Sequence, residues 1–432
     1  MKYLKGQYIA LLTASALMLA SGCTLDDPAP SSADPALTLD YTQNLSLTEL
    51  SWDKVNVTGF KEYILLQSSS PIPNSPTPVV SQDVTVLKRI KEVDSTSFSV
   101  SSTLFSPVIC FKLYCAVDDR FLYSSTLCIE QHFDMLQGFY DKAAHAPDVD
   151  EMVLFDRVNN DFSTCNYKTG TITNTVHDIV LSFPSLEMST WNGTTNAFGF
   201  DQSPAWLRKY DFPSLTATHS KNFNQILWAA NVHDQYVFTA TDEFNNNFQV
   251  LSRTNLAAID SRPGMSVNQN VAVFPGDQIT VLTIGSNEAK KYTINDIGMI
   301  TAVTSVPARI IQPDLQATCA EGTSLFICGR EGTIINREGQ NVGTLNPDVN
   351  SFVLMTRLTP DESQAIYVIS DNGFPRLEIA DLTHLPLVSV IKSFDLPSLT
   401  YADLIPEQDI IYVVGTIFNN SQPQTFILKY PR

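Results

Sequence analysis

The six histidines are the first residues to test for proton or metal chemistry: His132, His145, His177, His219, His233 and His384. No two stand within five residues of one another. His-Glu-x-x-His, Cys-x-x-Cys and Asp-x-Asn-x-Asp-Gly are missing as well, which excludes metal sites built from local spacing and leaves open a site gathered from distant parts of the chain. Val-His-Asp occurs at 176–178 and again at 232–234. A carboxylate beside an imidazole is half of a catalytic dyad, but a surface His next to a solvated Asp has the same sequence and is the preferred reading. No Gly-x-Ser-x-Gly elbow and no glycine-rich phosphate loop is present. The sequence therefore assigns no catalytic residue, no metal ligand and no cofactor.

Cysteine offers a second chemistry. Cys23 stands apart from Cys110, Cys115, Cys128, Cys165, Cys319 and Cys328. Cys319 and Cys328 flank a turn, and Cys110 and Cys128 fall on successive strands. In an oxidising compartment each pair can bridge, or it can be buried as free thiols.

These groups are positioned by strands. Past Ile129, short apolar runs begin at 152, 197, 236, 279, 325, 366 and 411, with spacings of 39 to 46 residues. Each is followed by a second run ending in a turn, as in Ile334-Ile335-Asn336-Arg337-Glu338-Gly339. Two strands, a turn and a further strand in about 43 residues fit one four-stranded propeller blade. A pair of β-sandwiches cut from the same strands is the competing arrangement. Thr359-Pro360-Asp361-Glu362-Ser363-Gln364-Ala365-Ile366-Tyr367-Val368, followed by Leu377-Glu378-Ile379-Ala380-Asp381-Leu382, resembles the blade repeat of YVTN and WD-like propellers. The Trp-Asp and Gly-His dipeptides of true WD repeats, the sialidase Asp-box and the kelch double Gly are all missing from the repeat region. The seventh unit runs out of chain before an outer strand, so Gln131–Gly138 is expected to supply one by pairing antiparallel with Thr425–Tyr430.

In such a disc the turns between second and third strands gather on one rim. Here they carry Asp201, Asp242, Asn245, Arg330, Asp371 and Asn372. Carboxylates, amides and a guanidinium are groups that hold sugars or polar peptide segments, although Asn, Asp and Gly are also ordinary turn formers. These six are the candidate binding residues.

Upstream, residues 37–130 alternate apolar and polar positions at strand length. Thr48-Glu49-Leu50-Ser51-Trp52-Asp53, then Phe60-Lys61-Glu62-Tyr63-Ile64-Leu65-Leu66, resembles strands B and C of a fibronectin type III domain. That resemblance implies a buried Trp52 and Tyr63. Period-two geometry puts Phe111, Leu113, Cys115 and Val117 on one face, with Lys112 pointing away.

At the N-terminus, Lys2 and Lys5 precede an apolar run, Tyr8 to Ala20, too short to span a bilayer. Leu19-Ala20-Ser21-Gly22-Cys23 resembles a bacterial lipobox, which implies cleavage after Gly22 and acylation of Cys23. An ordinary signal peptide with a chance Cys is the plainer alternative. Thr24-Leu25-Asp26-Asp27 resembles a surface-export signal, and Pro28 to Pro35 reads as a stiff spacer. The expected organisation is a leader (1–22), a Pro/Ser/Asp-rich spacer (23–36), a fibronectin type III-like sandwich (37–130) and a seven-bladed β-propeller (131–432). The fold class is all-β.

A net charge of −18 repels phosphate backbones, so no nucleic-acid partner is expected. The expected protein is an outer-membrane lipoprotein, tethered through Cys23, that binds a glycan or a protein without catalysis. The alternative is a carbohydrate-active lyase or hydrolase with carboxylates from several blades, which three or more carboxylates pocketed at the channel would favour. Cys23→Ser should leave unprocessed or soluble protein in membrane fractionation, and an unchanged membrane pool would disprove the anchor.

Overall fold

The computed structural model describes residues 37–101, 108–130, 133–147, 149–177, 185–202, 205–242, 248–263, 270–285, 288–310, 319–346, 348, 350–371, 373–419 and 422–432. Cys23 and the leader lie outside them. The chain forms two compact units. Among the described residues, one comprises 37–40, Trp52–Thr96 and Cys110–Cys128; the other comprises those of Tyr41–Ser51, Ser97–Ile109 and Ile129–Arg432.

The first unit is built on an antiparallel sheet ordered Val84–Ile90, Phe60–Ser68, Val108–Val117, Arg120–Tyr123, with Leu127–Glu130 also on Val108–Val117. Trp52 is buried with its ring 5.6 Å from that of Tyr63, as the sequence led one to expect. Cys110 and Cys128 form a disulfide, with Cα atoms 4.0 Å apart. Lys112 does point to the face opposite Phe111, but that face is covered too. Its ammonium is fully buried, donates to Asn74 Oδ1 and lies 5.2 Å from the ring of Tyr123.

The second unit contains, among the described residues, seven four-stranded antiparallel sheets, each in simple up-and-down order except the last. Their inner strands are Tyr140–His145, Ser185–Trp191, Leu227–His233, Asn270–Phe274, Ala320–Glu321, Ser351–Leu358 and Thr400–Pro406, and these define blades 1 to 7. Each inner strand packs on the next, and the first packs on the last, so the ring is closed. This is a β-propeller.

The apolar runs explain the packing. In blade 6, Ile366 and Val368 enter the core shared with blade 7, while the alternate residues Ala365, Tyr367 and Ile369 enter the core shared with blade 5. Strands buried on both faces read as continuous hydrophobic runs rather than alternating ones. One such core fills every junction, seven in all.

Ring closure uses the segment expected to supply it. Asp134–Gln137 is the outer strand of blade 7, antiparallel to Gln422–Pro431, with Gln137 opposite Gln424 and Asp134 opposite Ile427. Lys429 reinforces this pairing through an ion pair to Asp134 at 2.8 Å. Beyond the end of that short strand the edge is continued by Ser46, whose N–H donates to Lys429 O (2.8 Å) and whose Oγ accepts from Lys429 N–H (2.8 Å). Buried hydroxyls tie blade 7 to the start of blade 1: Thr425 Oγ1 accepts from Tyr140 N–H (3.1 Å), and Thr416 Oγ1 donates to Tyr140 O (2.8 Å).

Deleting residues 425–432 should therefore lower the melting temperature of the whole disc in one cooperative step. A truncated chain that melts like the parent in calorimetry would rule this out.

Candidate functional site

The inner strands surround a central cavity of about 880 Å³, lined by residues from all seven blades. A sheet that twists as it closes brings only its innermost strand to the axis, so polar side chains there meet residues remote in sequence. Two clusters result.

The first joins blades 2, 3, 4 and 5. Glu321 Oε1 accepts from Asn231 Nδ2 (2.5 Å) and from the Val273 N–H (3.0 Å), and Glu187 Oε1 accepts from the Val232 N–H (2.9 Å). Enclosure by protein, and then the charge of Glu321, push the Glu187 carboxyl up to about 8; enclosure pushes Glu321 up to about 8 as well, against the hydrogen bonds from Val273 and Asn231. Glu321 nevertheless keeps an open face on the channel, and water there offsets part of this rise. Both carboxyls therefore keep their protons, and can donate hydrogen bonds, to a higher pH than an ordinary glutamate. The Asn231 Oδ1 beside them is buried and has no hydrogen-bond partner in the protein.

The second cluster joins blades 6, 7 and 1. Asp403, fully buried, accepts from Arg357 Nη2 (2.5 Å) and bonds His145 Nδ1 (3.0 Å). Burial raises the Asp403 carboxyl, but Arg357 and His145 more than offset it and hold the group below the usual range. Asp403 thereby fixes the His145 ring, which lines the cavity. Near one mouth, Lys168 bridges Asp150 (2.8 Å) and Glu407 (2.9 Å), and those two carboxylates raise the Lys168 ammonium well above its ordinary value.

The residues expected on the rim fare differently. Asp201 is buried, only 1% exposed, and stands opposite Trp206 in its strand pair rather than in the turn. Asp242 accepts from Trp228 Nε1. Arg330 lies over the ring of Phe352 at 4.6 Å, and Asp371 accepts from Ser351 Oγ (3.1 Å) and pairs with Arg376 (3.4 Å). None of these four lines the channel. Asn245 and Asn372 lie outside the described residues. Both Val-His-Asp histidines are local pairs: His177 meets Asp161 (3.1 Å) at the exposed end of an outer strand, and His233 meets its neighbour Asp234 (3.3 Å). Among the described residues no three His, Cys, Asp or Glu side chains are arranged to hold a metal ion.

Sequence reading passed over Glu187, Asn231, Glu321, Arg357 and Asp403. Two of them stand as a lone polar residue in a small or apolar strand just ahead of a repeat strand, Ala229-Ala230-Asn231-Val232 and Tyr401-Ala402-Asp403-Leu404.

No protein-family model matches the chain, and no curated protein matches it. Among solved structures, the β-propeller domain of Cps50 (Swd1) from Myceliophteria thermophila is similar over 67% of this chain and 96% of its own, at 11% identity and a TM-score of 0.48. A protein of unknown function from Desulfotomaculum acetoxidans is similar over 63% of this chain and 90% of its own, with 14% identity and a TM-score of 0.47. Kuenenia stuttgartiensis hydrazine synthase covers 68% and 96%, at 11% identity and a TM-score of 0.49. The propeller assignment stands on the closed ring of sheets.

The acid pair makes stability depend on pH with a defined sign. Between about pH 4.5 and 8 the folded protein holds protons that the unfolded chain has released, so the contribution is complete below 4.5 and is lost as pH rises through 8. Glu187→Gln with Glu321→Gln should raise the melting temperature at pH 9, by about 2–4 °C per kcal/mol of penalty removed, and leave it little changed at pH 4. Equal shifts at both pH values in calorimetry would contradict the assignment.

Proposed function

We propose that this protein is a lipid-anchored, extracytoplasmic recognition module that binds a neutral, hydroxyl-rich ligand, a glycan chain or chain end, in the central channel of its propeller. The lipobox-like run ending at Cys23 supports the anchor and an outer-membrane location. The buried Trp52 and Tyr63 on adjoining segments support a fibronectin type III-like sandwich as the spacer between anchor and disc. The observation that carries the binding reading is the 880 Å³ cavity with polar groups from separate blades, a size usual for small-ligand sites. Neutral carboxyls on Glu187 and Glu321 with the Asn231 amide offer donors and acceptors without net charge, the complement of sugar hydroxyls.

A hydrolase needs one ionised and one protonated carboxyl. Glu187 and Glu321 are raised together, which suits hydrogen bonding better than nucleophilic attack. The enzyme reading keeps one specific support: Asp141, Asp150, Glu187, Glu321 and Glu407 all line the channel, the arrangement that reading called for, and His145 is oriented there by Asp403.

A glycan array followed by calorimetry on the mature ectodomain tests the proposal. Glu187→Ala and Glu321→Ala should each weaken binding at least tenfold, about 1.4 kcal/mol, while Asp242→Ala and Asp371→Ala leave it unchanged. The opposite pattern would return the site to the rim. Release of shortened sugar, abolished by His145→Gln with binding retained, would establish the enzyme instead.

A further inference from the structure

Blade 5 has the shortest inner strand in the ring, the two residues Ala320–Glu321, and yet it carries a channel carboxyl. One end of that strand is well fixed. Gly322 N–H donates to Leu325 O (2.9 Å), closing the turn. Glu362 of blade 6 grips the same turn, accepting from Ser324 N–H (2.9 Å) and Thr323 Oγ1 (2.7 Å). A side chain at Gly322 would collide with that carboxylate, its Cβ falling 2.4 Å from Glu362 Oε1. The other end begins at Cys319.

Register places Cys319 opposite a second cysteine. Ala320 pairs with Ile327 and Glu321 with Phe326, so Cys319 stands across from Cys328. Hydrogen-bonded and non-hydrogen-bonded pairs alternate along an antiparallel ladder, and the bonded pair Gly322/Leu325 makes Ala320/Ile327 bonded and Cys319/Cys328 non-bonded. Cα atoms of a non-bonded pair lie about 4.5 Å apart, inside the range that a disulfide spans. Both side chains enter the same core, with Phe326 and Ile335, and the two thiols interact: burial first, then Cys319, raises the Cys328 thiol. Cys115 and Cys165 are buried in other sheets. The bridge between Cys110 and Cys128 places the chain among proteins that mature where thiols are oxidised.

We propose that Cys319 and Cys328 are oxidised in the mature protein to a cross-strand disulfide that clamps the N-terminal end of the Ala320–Glu321 strand and so holds Glu321 in the channel wall. The oxidant is an exogenous disulfide, that of an envelope thiol–disulfide oxidoreductase or, in vitro, glutathione disulfide. The thiolate of Cys319, the more exposed of the two, attacks one sulfur of the oxidant, forming a mixed disulfide and expelling the first thiolate. Cys328, deprotonated, then displaces the second thiolate as the Cys319–Cys328 bond forms. The two cysteine protons pass to the two leaving thiolates, and the oxidant takes up two electrons.

The clamp's effect on a ligand rests on the channel reading, but its existence does not, and the test separates them. Full-length protein purified from the cell envelope is denatured and alkylated without reductant, then digested for mass spectrometry. Of Cys115, Cys165, Cys319 and Cys328, only the first two are expected to be alkylated, with a cross-linked Cys319–Cys328 peptide. Alkylation of all four overturns the proposal. Hydrogen exchange on the folded protein then reads the clamp directly: amides of residues 319–322 should exchange about tenfold faster after mild reduction or in Cys319→Ser, with blade 2 unaffected. A cross-link whose reduction leaves those amides unchanged overturns the positioning role, whatever the protein binds.

Discussion

The pairing of Asp134–Gln137 with Gln422–Pro431 is the interaction on which the rest of the disc depends. Every hydrophobic core in the ring is shared between two blades, so no blade can bury both of its faces alone. Six junctions are made by consecutive blades along the chain. The seventh brings together segments nearly 300 residues apart, and loop-closure entropy opposes it. Backbone pairing, the Thr416 and Thr425 hydroxyls and the Tyr167–Tyr412 contact, 5.1 Å between rings, offset that cost at one seam.

The chemistry of the channel is tied to the same seam. His145 belongs to blade 1 and Asp403 to blade 7, so their hydrogen bond exists only in a closed ring. Arg357 of blade 6 completes the charge balance of a carboxylate that is otherwise fully buried, a situation that is costly when any one partner is lost. Across the channel, burial raises the Glu187 and Glu321 carboxyls, and the charge of Arg253 only partly offsets the rise at Glu187. One wall is therefore an ion-paired network and the other a set of neutral donors and acceptors.

The turn residues behave as their alternative reading allowed. Asp371 and Asp242 accept hydrogen bonds from Ser351 and Trp228 on the adjacent inner strand, which is what turn formers at strand ends do, and Arg330 lies over Phe352 of the next blade. A carboxylate at the end of a strand is as well placed to brace a turn as to meet a ligand, and only its hydrogen-bond partners tell the two apart.

The sequence by itself determined the repeat: its apolar runs at 39 to 46 residue spacing are the second strands of all seven blades, because strands buried on both faces leave an unbroken hydrophobic signature. It also determined the closing strand, since the last unit lacked one and a single segment of the right pattern stood free. The buried Trp52 was legible from its strand context, whereas strand order left Cys110 and Cys128 either bridged or free, and the structure joins them. The channel was decided only by the tertiary structure. Glu187 and Glu321 are 134 positions apart, and His145 and Asp403 are 258 apart. No local spacing records either meeting, because what brings them together is the radius and closure of the ring, a property of seven packed sheets and of no single one.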